Sequence, residues 1–259
     1  DLKVVIQNKG LLVPLLITFL VFFVVFPGLS GLIPGLVNGL NADAGDIEEL
    51  ISKMQPGLQQ ELSGLNMSQK ATVFLLVHMM APMFLIVPLM VATTVAADSF
   101  AGEKERKTME ALLYTPTTDR ELFVAKLLSA WLAAIATALV GFVMYSVTAN
   151  TASWSHMGRI FFPNAMWLVM IIWVVPAVAA LGLSAMVLAS ARAQGYQDAY
   201  QIGGAVVLPV IALFYAQISG VMYFNIVVVL LLGLVIWLLD GLLIWLGSRI
   251  FRRGRLLGA

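Results

Sequence analysis

The sequence predicts an all-α polytopic membrane protein with six transmembrane helices and both termini in the cytoplasm. Three observations predict it. Apolar residues make up 61% of 259, and only 11% are charged, about half the charge of a soluble domain. Six stretches reach the roughly 20 apolar residues that a bilayer core requires, near 10–33, 71–97, 122–148, 163–190, 200–221 and 224–248. Basic residues divide very unevenly between the two sets of connections. An even number of spans puts Lys3, Lys9, Lys104, Arg106, Lys107, Arg120, Lys126, Arg192, Arg249, Arg252, Arg253 and Arg255 on one side, twelve of the fifteen, and leaves Lys53, Lys70 and Arg159 on the other. The positive-inside rule assigns the richer side to the cytoplasm. Open strands are excluded, because lipid offers backbone amides no partner outside their own segment.

The first span is long and has no small-residue cleavage site, so it reads as a retained helix and not as a signal peptide. The chain begins at Asp1 without methionine, in what reads as the end of a helix, and further residues are expected before it. Gly31, Gly35 and Gly39 recur every four residues, a spacing that permits close helix approach. Pro34 among them favours a turn-rich exit from the membrane. The first outer loop, about 34–70, is the only sizeable extramembrane piece. Ile47, Leu50, Ile51 and Met54 have helical spacing, Pro56-Gly57 ends that helix, and a second short helix follows over about 57–65. An amphipathic hairpin on the outer surface is expected there, with a plain lid over the helix ends the favoured role. The connection near Gln217–Asn225 is short enough to make spans five and six an antiparallel hairpin. Pro209 breaks span five and Gly203-Gly204 loosens its start.

The segment 98–121 between spans two and three stands apart, with ten charged residues in 24. Phe100, Met109, Leu112 and Leu113 supply one apolar surface, and Glu103, Glu105, Arg106, Lys107 and Glu110 a polar one. The pairs Glu103/Lys107 and Arg106/Glu110 are four apart and can pair along a helix. The helix, about 99–115, stops at Thr115-Pro116, and Thr118 to Glu121 is a capping-box pattern that starts span three. An interfacial helix with snorkelling basic residues is the plain alternative. Three glutamates facing anionic headgroups argue against it and for a protein groove.

Here the sequence resembles a known family. The run Glu103-Lys-Glu-Arg-Lys-Thr-Met-Glu-Ala-Leu-Leu-Tyr-Thr-Pro116, followed by Lys126-Leu-Leu, is similar to the cytoplasmic signature of ABC type-2 permeases, the membrane subunits of bacterial and archaeal ABC exporters. Lys107 stands where glycine is common. Ser190-Ala-Arg192, Gln194 to Gln201, and Gly203-Gly204 to Pro209 resemble the family's loop and fifth helix. The resemblance extends from about 71 to 250. It implies a single transmembrane domain that forms a substrate path as a homodimer or with a paralogue. It also implies two copies of a separate ATPase subunit, which bind ATP and Mg and grip the 99–115 helix. The expected place is the cytoplasmic membrane of a prokaryote, with lipid as solvent and no nucleic acid as partner.

The chain's own chemistry is sparse. Cysteine is absent, which removes disulfides and thiolate sites, and two histidines, His78 and His156, cannot make a histidine-rich metal site. No G-x-x-x-x-G-K-[ST] loop occurs, so ATP phosphates would be cradled elsewhere; H-E-x-x-H and G-x-S-x-G are missing too. No catalytic residue, metal ligand or cofactor of its own is expected. Asp240 lies inside span six, about 13 Å of helix from Arg249. Intramembrane acids mark a pathway or bond to a neighbouring helix, and both roles stay open for Asp240. His78 and Gln217 are the other candidate pathway or interhelix polar groups, with His78 expected as a neutral, hydrogen-bonded helix contact. An ion-coupled secondary transporter would need more mid-membrane polar groups and an internal repeat. A non-transporting scaffold subunit is the remaining alternative.

Overall fold

The computed structural model describes residues 9–39, 56–102, 119–193 and 196–250. Among the described residues every regular element is helical. Six helices are long and apolar enough to cross a membrane: α1 (Leu12–Gly39), α2 (Met67–Gly102), α3 (Val124–Met157), α4 (Ala165–Ser190), α5 (Gln197–Ile218) and α6 (Ile226–Leu246). The helix containing α3 starts at Asp119 and runs for 39 residues, about 58 Å, so it projects well beyond a hydrocarbon core of about 30 Å. The expected helix over 46–54 and the cap at Thr118 lie outside the described residues.

α2 and α4 form the centre. In their most apolar windows 61% and 67% of residues are buried, against 11% in α1 and 17% in α5. α2 packs on α3 and α4, and α4 also carries α5 and α6. Small residues permit these approaches. A Cβ on Gly182 of α4 would meet the Leu89 side chain of α2 at 2.7 Å, and one on Gly233 of α6 would meet the Trp173 ring at 2.3 Å. Lipid offers apolar helices no hydrophobic reward for associating, so close van der Waals contact of this kind holds them together.

Proline shapes the helices from within. Pro27, Pro82 and Pro176 have no N–H for the carbonyls four residues back, at Phe23, His78 and Ile172. Each of those residues lies in a widened, π-type turn: Val21–Val25, Phe74–Met79 and Met170–Val174. Pro34 and Pro209 instead follow tightened 3-10 turns at Leu29–Leu32 and Ala205–Val207. Carbonyls in the widened turn of α2 are taken up by neighbouring helices. The Tyr145 hydroxyl donates to Leu76 O at 2.8 Å, and Trp167 Nε1 donates to Val77 O at 2.8 Å. Both rings stand in a buried cluster with Phe84 and Phe162. Irregular backbone is thus met by protein and not by lipid.

Two local expectations are corrected. The glycines at 31, 35 and 39 do not make a turn-rich exit: helix continues to Gly39. A Cβ at Gly31 would meet Ala152 O at 3.0 Å, so that glycine serves the contact of α1 with α3, whereas Gly35 and Gly39 face open space. The second helix also does not end near 97. It continues through a widened turn, Asp98–Gly102, so residues 99–102 belong to α2 and not to a separate helix. Span five is broken as expected, between Tyr196–Gly204 and Leu208–Ile218.

Candidate functional site

At the bundle end where α4 and α6 begin, three connections converge on a cleft of ≈ 460 Å³. The first brings Glu61, at the end of the short helix Pro56–Glu61. The second is the connection into α4, where Asn164 caps the helix by accepting the Trp167 N–H at 3.1 Å. The third is the turn between α5 and α6, where Gly220 at φ 73° reverses the chain, Tyr223 follows, and Asn225 Oδ1 accepts the Val228 N–H at 2.9 Å. Asparagine suits both cap positions, since its side-chain oxygen satisfies an N–H that the helix leaves without a partner.

His78 of α2 reaches this cleft from below and is only 1% exposed. Its ring lies 5.1 Å from that of Tyr223. Its Nε2 is 3.4 Å from Glu61 Oε2, too long for a good hydrogen bond, and neither ring nitrogen has a hydrogen-bond partner among the described residues. The Tyr223 hydroxyl donates a short hydrogen bond to the same carboxylate oxygen. His78 beside it, opposed by partial burial and helped by Tyr223 and the Asn164 amide, holds the Glu61 carboxyl below its ordinary value of 4.5. Burial, and then the carboxylate, push the Tyr223 hydroxyl well above the usual phenol range.

His78 is therefore not the hydrogen-bonded helix contact that its apolar neighbours suggest. The π-type turn ahead of Pro82 carries it, and its ring meets connections far away in sequence. Glu61, Tyr223 and Asn164 are not among the candidates that the sequence offers. A usable signal for Asn164 was its place just before the apolar run of α4, where a cap residue belongs.

Asp240 is 1% exposed. Neither carboxylate oxygen has a hydrogen-bond partner among the described residues, so it lies inside protein and away from lipid, and no bond to a neighbouring helix is seen. Gln217 is 4% exposed, with its Oε1 likewise unpartnered among the described residues.

At the opposite end, Lys126 is buried and its Nζ donates to Ser99 O at 2.6 Å, while lying 5.6 Å from the centre of the Phe100 ring. A cation at the carbonyl end of α2 has a favourable dipole. Lys126 of the Lys-Leu-Leu run thus fastens α3 to the last described turn of α2. Phe100 was expected on the apolar surface offered to a partner. Instead it is 3% exposed, because α2 stays helical to Gly102 and turns this ring beneath Lys126. Glu103, Glu105, Arg106, Lys107, Met109, Glu110, Leu112 and Leu113 lie outside the described residues.

The family described as ABC-2 family transporter protein matches residues 6–252, nearly the whole chain and all six membrane-spanning helices. The chain belongs to this family. An ABC-2 protein is a membrane subunit associated with an ABC ATPase, and the permease described here has the six apolar helices that such a subunit needs. No curated protein and no solved structure matches the chain.

Proposed function

We propose that this ABC-2 permease is the membrane subunit of an ATP-driven exporter. Two permease subunits, identical or paralogous, enclose the substrate path, and two ATPase subunits drive it from the cytoplasm. The single observation that carries this reading is the family match over residues 6–252, joined to a densely charged segment placed between spans two and three. Glu103, Glu105, Arg106, Lys107, Met109, Glu110, Leu112 and Leu113 form the surface that the ATPase grips. The ATPase binds ATP and Mg, and this chain holds no cofactor of its own.

The anchoring of Lys126 on Ser99 supports the coupling role. A force applied to the charged segment reaches α2 at its last turns, where α3 is already tied on. Because α2 lies at the centre of the bundle, a push there is delivered to α3 and α4 together. The wide apolar faces left on α1 and α5 suit lipid and a second permease subunit. The multi-pass chain is assigned to the cytoplasmic membrane of a prokaryote, with the charged segment and both termini on the cytoplasmic side. Reconstitution with its ATPase tests the reading. The double charge reversal Glu105→Lys with Glu110→Lys is expected to insert and dimerise normally yet lose at least about tenfold of the coupled ATPase rate, since like charges opposed across an interface cost several kcal/mol. Unchanged ATPase activity in that variant would defeat it.

A further inference from the structure

We propose that the cleft between α2, α4 and α6 is an anion-receptive site for a carboxylate or phosphate group, and that Glu61 occupies it as a tethered stand-in. The inventory of polar groups decides the sign of the ligand. Tyr223 points its hydroxyl at the cleft and donates there. The side-chain oxygens of Asn164 and Asn225 are committed to N–H groups in the first turns of α4 and α6, which leaves their amide N–H groups as the polar atoms they offer to the cleft they line. The N-terminal ends of two membrane-length helices, α4 and α6, meet at this cleft, and each carries a partial positive charge with unsatisfied N–H groups. Among the described residues Glu61 is the sole carboxylate lining it.

The imperfect seating of Glu61 points to an exchangeable occupant. His78 is almost wholly buried and lines the cleft, yet neither of its nitrogens has a hydrogen-bond partner among the described residues. At 3.4 Å the Glu61 oxygen is within ion-pair range of Nε2 but too far for a good hydrogen bond. Glu61 sits on a short terminal turn and is 38% exposed, so it can swing out without unpacking the core. A phosphate has more acceptor oxygens than a carboxylate and would reach His78, Tyr223 and Asn164 together. Among the described residues a cationic ligand would find one acid, already surrounded by donors.

The test uses the full chain in nanodiscs of phosphatidylcholine, with inorganic phosphate as probe against chloride at constant ionic strength, read as thermal unfolding. Glu61→Ala empties the site, and Glu61→Gln removes the charge while keeping the side chain's bulk should the first variant fold poorly. Phosphate is expected to raise the Tm of either variant at concentrations at least about tenfold lower than in the parent, by mass action on the folded state. Adding His78→Phe should abolish the shift. Replacing part of the lipid by phosphatidylglycerol separates the sources. If the variant is already stabilised and phosphate adds nothing, a lipid headgroup is the ligand. If the phosphate response survives, the ligand is a free anion. The proposal is overturned if folded Glu61→Gln shows no phosphate response, if His78→Phe leaves that response unchanged, or if an alkylammonium ion stabilises the parent and not Glu61→Ala. Binding is read on the isolated chain, so a negative result leaves the ATPase-coupled reading untouched.

Discussion

Glu61 and Asp240 are both acids in a protein with few charges, and their surroundings give them different behaviour. Glu61 is half-exposed and stands among donors that favour its charged form. A group whose folded pKa is depressed adds stability above its unfolded value and loses it as pH falls through the folded one. The advantage of the parent over Glu61→Gln should therefore be complete above pH about 4.5 and be lost progressively as the pH falls from there through the depressed folded value, as a pH series of thermal unfolding in detergent would show. Asp240 has burial and no hydrogen-bond partner among the described residues. Burying an unpartnered polar group costs about 1–3 kcal/mol by protein mutational measures, and ionisable groups inside membranes are rare without a role. Asp240→Leu should thus unfold at the same or a higher temperature than the parent, while Asp240→Asn, of the same shape, alters transport or its pH dependence. A Tm several degrees lower in Asp240→Leu would show that the carboxylate holds a neighbouring helix after all.

The same logic of unmet polar groups organises the helices. Pro27, Pro82, Pro176, Pro34 and Pro209 each leave a carbonyl four residues back without its N–H, and the turn around that carbonyl widens or tightens. In α2 this places Leu76 O and Val77 O within reach of Tyr145 and Trp167, so one irregular turn is pinned by α3 and α4 together. At the other end of α2 the pin is Lys126. Lys126→Met keeps an unbranched side chain over Phe100 but deletes the bond to Ser99 O. A hydrogen bond from a charged donor contributes about 1.5–3 kcal/mol, so this variant should unfold several degrees below the parent. It should also lose ATPase stimulation in the reconstituted complex, because the charged segment then pulls on an unanchored helix end. Full stimulation alongside the lower Tm would confine Lys126 to a structural role.

For the molecule as a whole, the decisive property is which helices are central. α2 and α4 are the most buried helices and meet closely at Gly182, and the other four form an outer layer whose apolar residues remain exposed in the single chain. A transporter that must move needs such a layer, since helices facing lipid or a second subunit can shift without opening a packed core. Orientation is the whole-molecule property that charge counting addresses. The chain has no cysteine, so single replacements report without background. In intact cells Ser52→Cys should react with a membrane-impermeant thiol reagent and Thr108→Cys only after lysis. The reverse pattern would invert the topology argued from the twelve-to-three division of basic residues.

Sequence by itself determined the class, the number of spans and the family resemblance, because these depend on properties summed over many residues. Twenty apolar residues in a row have one stable fate in water and lipid, and a charged run such as 103–110 cannot share it. It also located the break in α5, since a proline acts on its own helix. What only the tertiary structure decided depends on side chains distant in the chain. Phe100 has the same hydrophobicity whether it faces a partner or lies beneath Lys126, and the length of α2 settled which. Gly31 fits a turn or a helix contact equally well until Ala152 is seen beside it. His78, Glu61, Asn164 and Tyr223 come from four separate segments, and no spacing rule connects them. Their meeting follows from how α2, α4 and α6 pack, which places two capped helix ends and one buried imidazole around a single carboxylate.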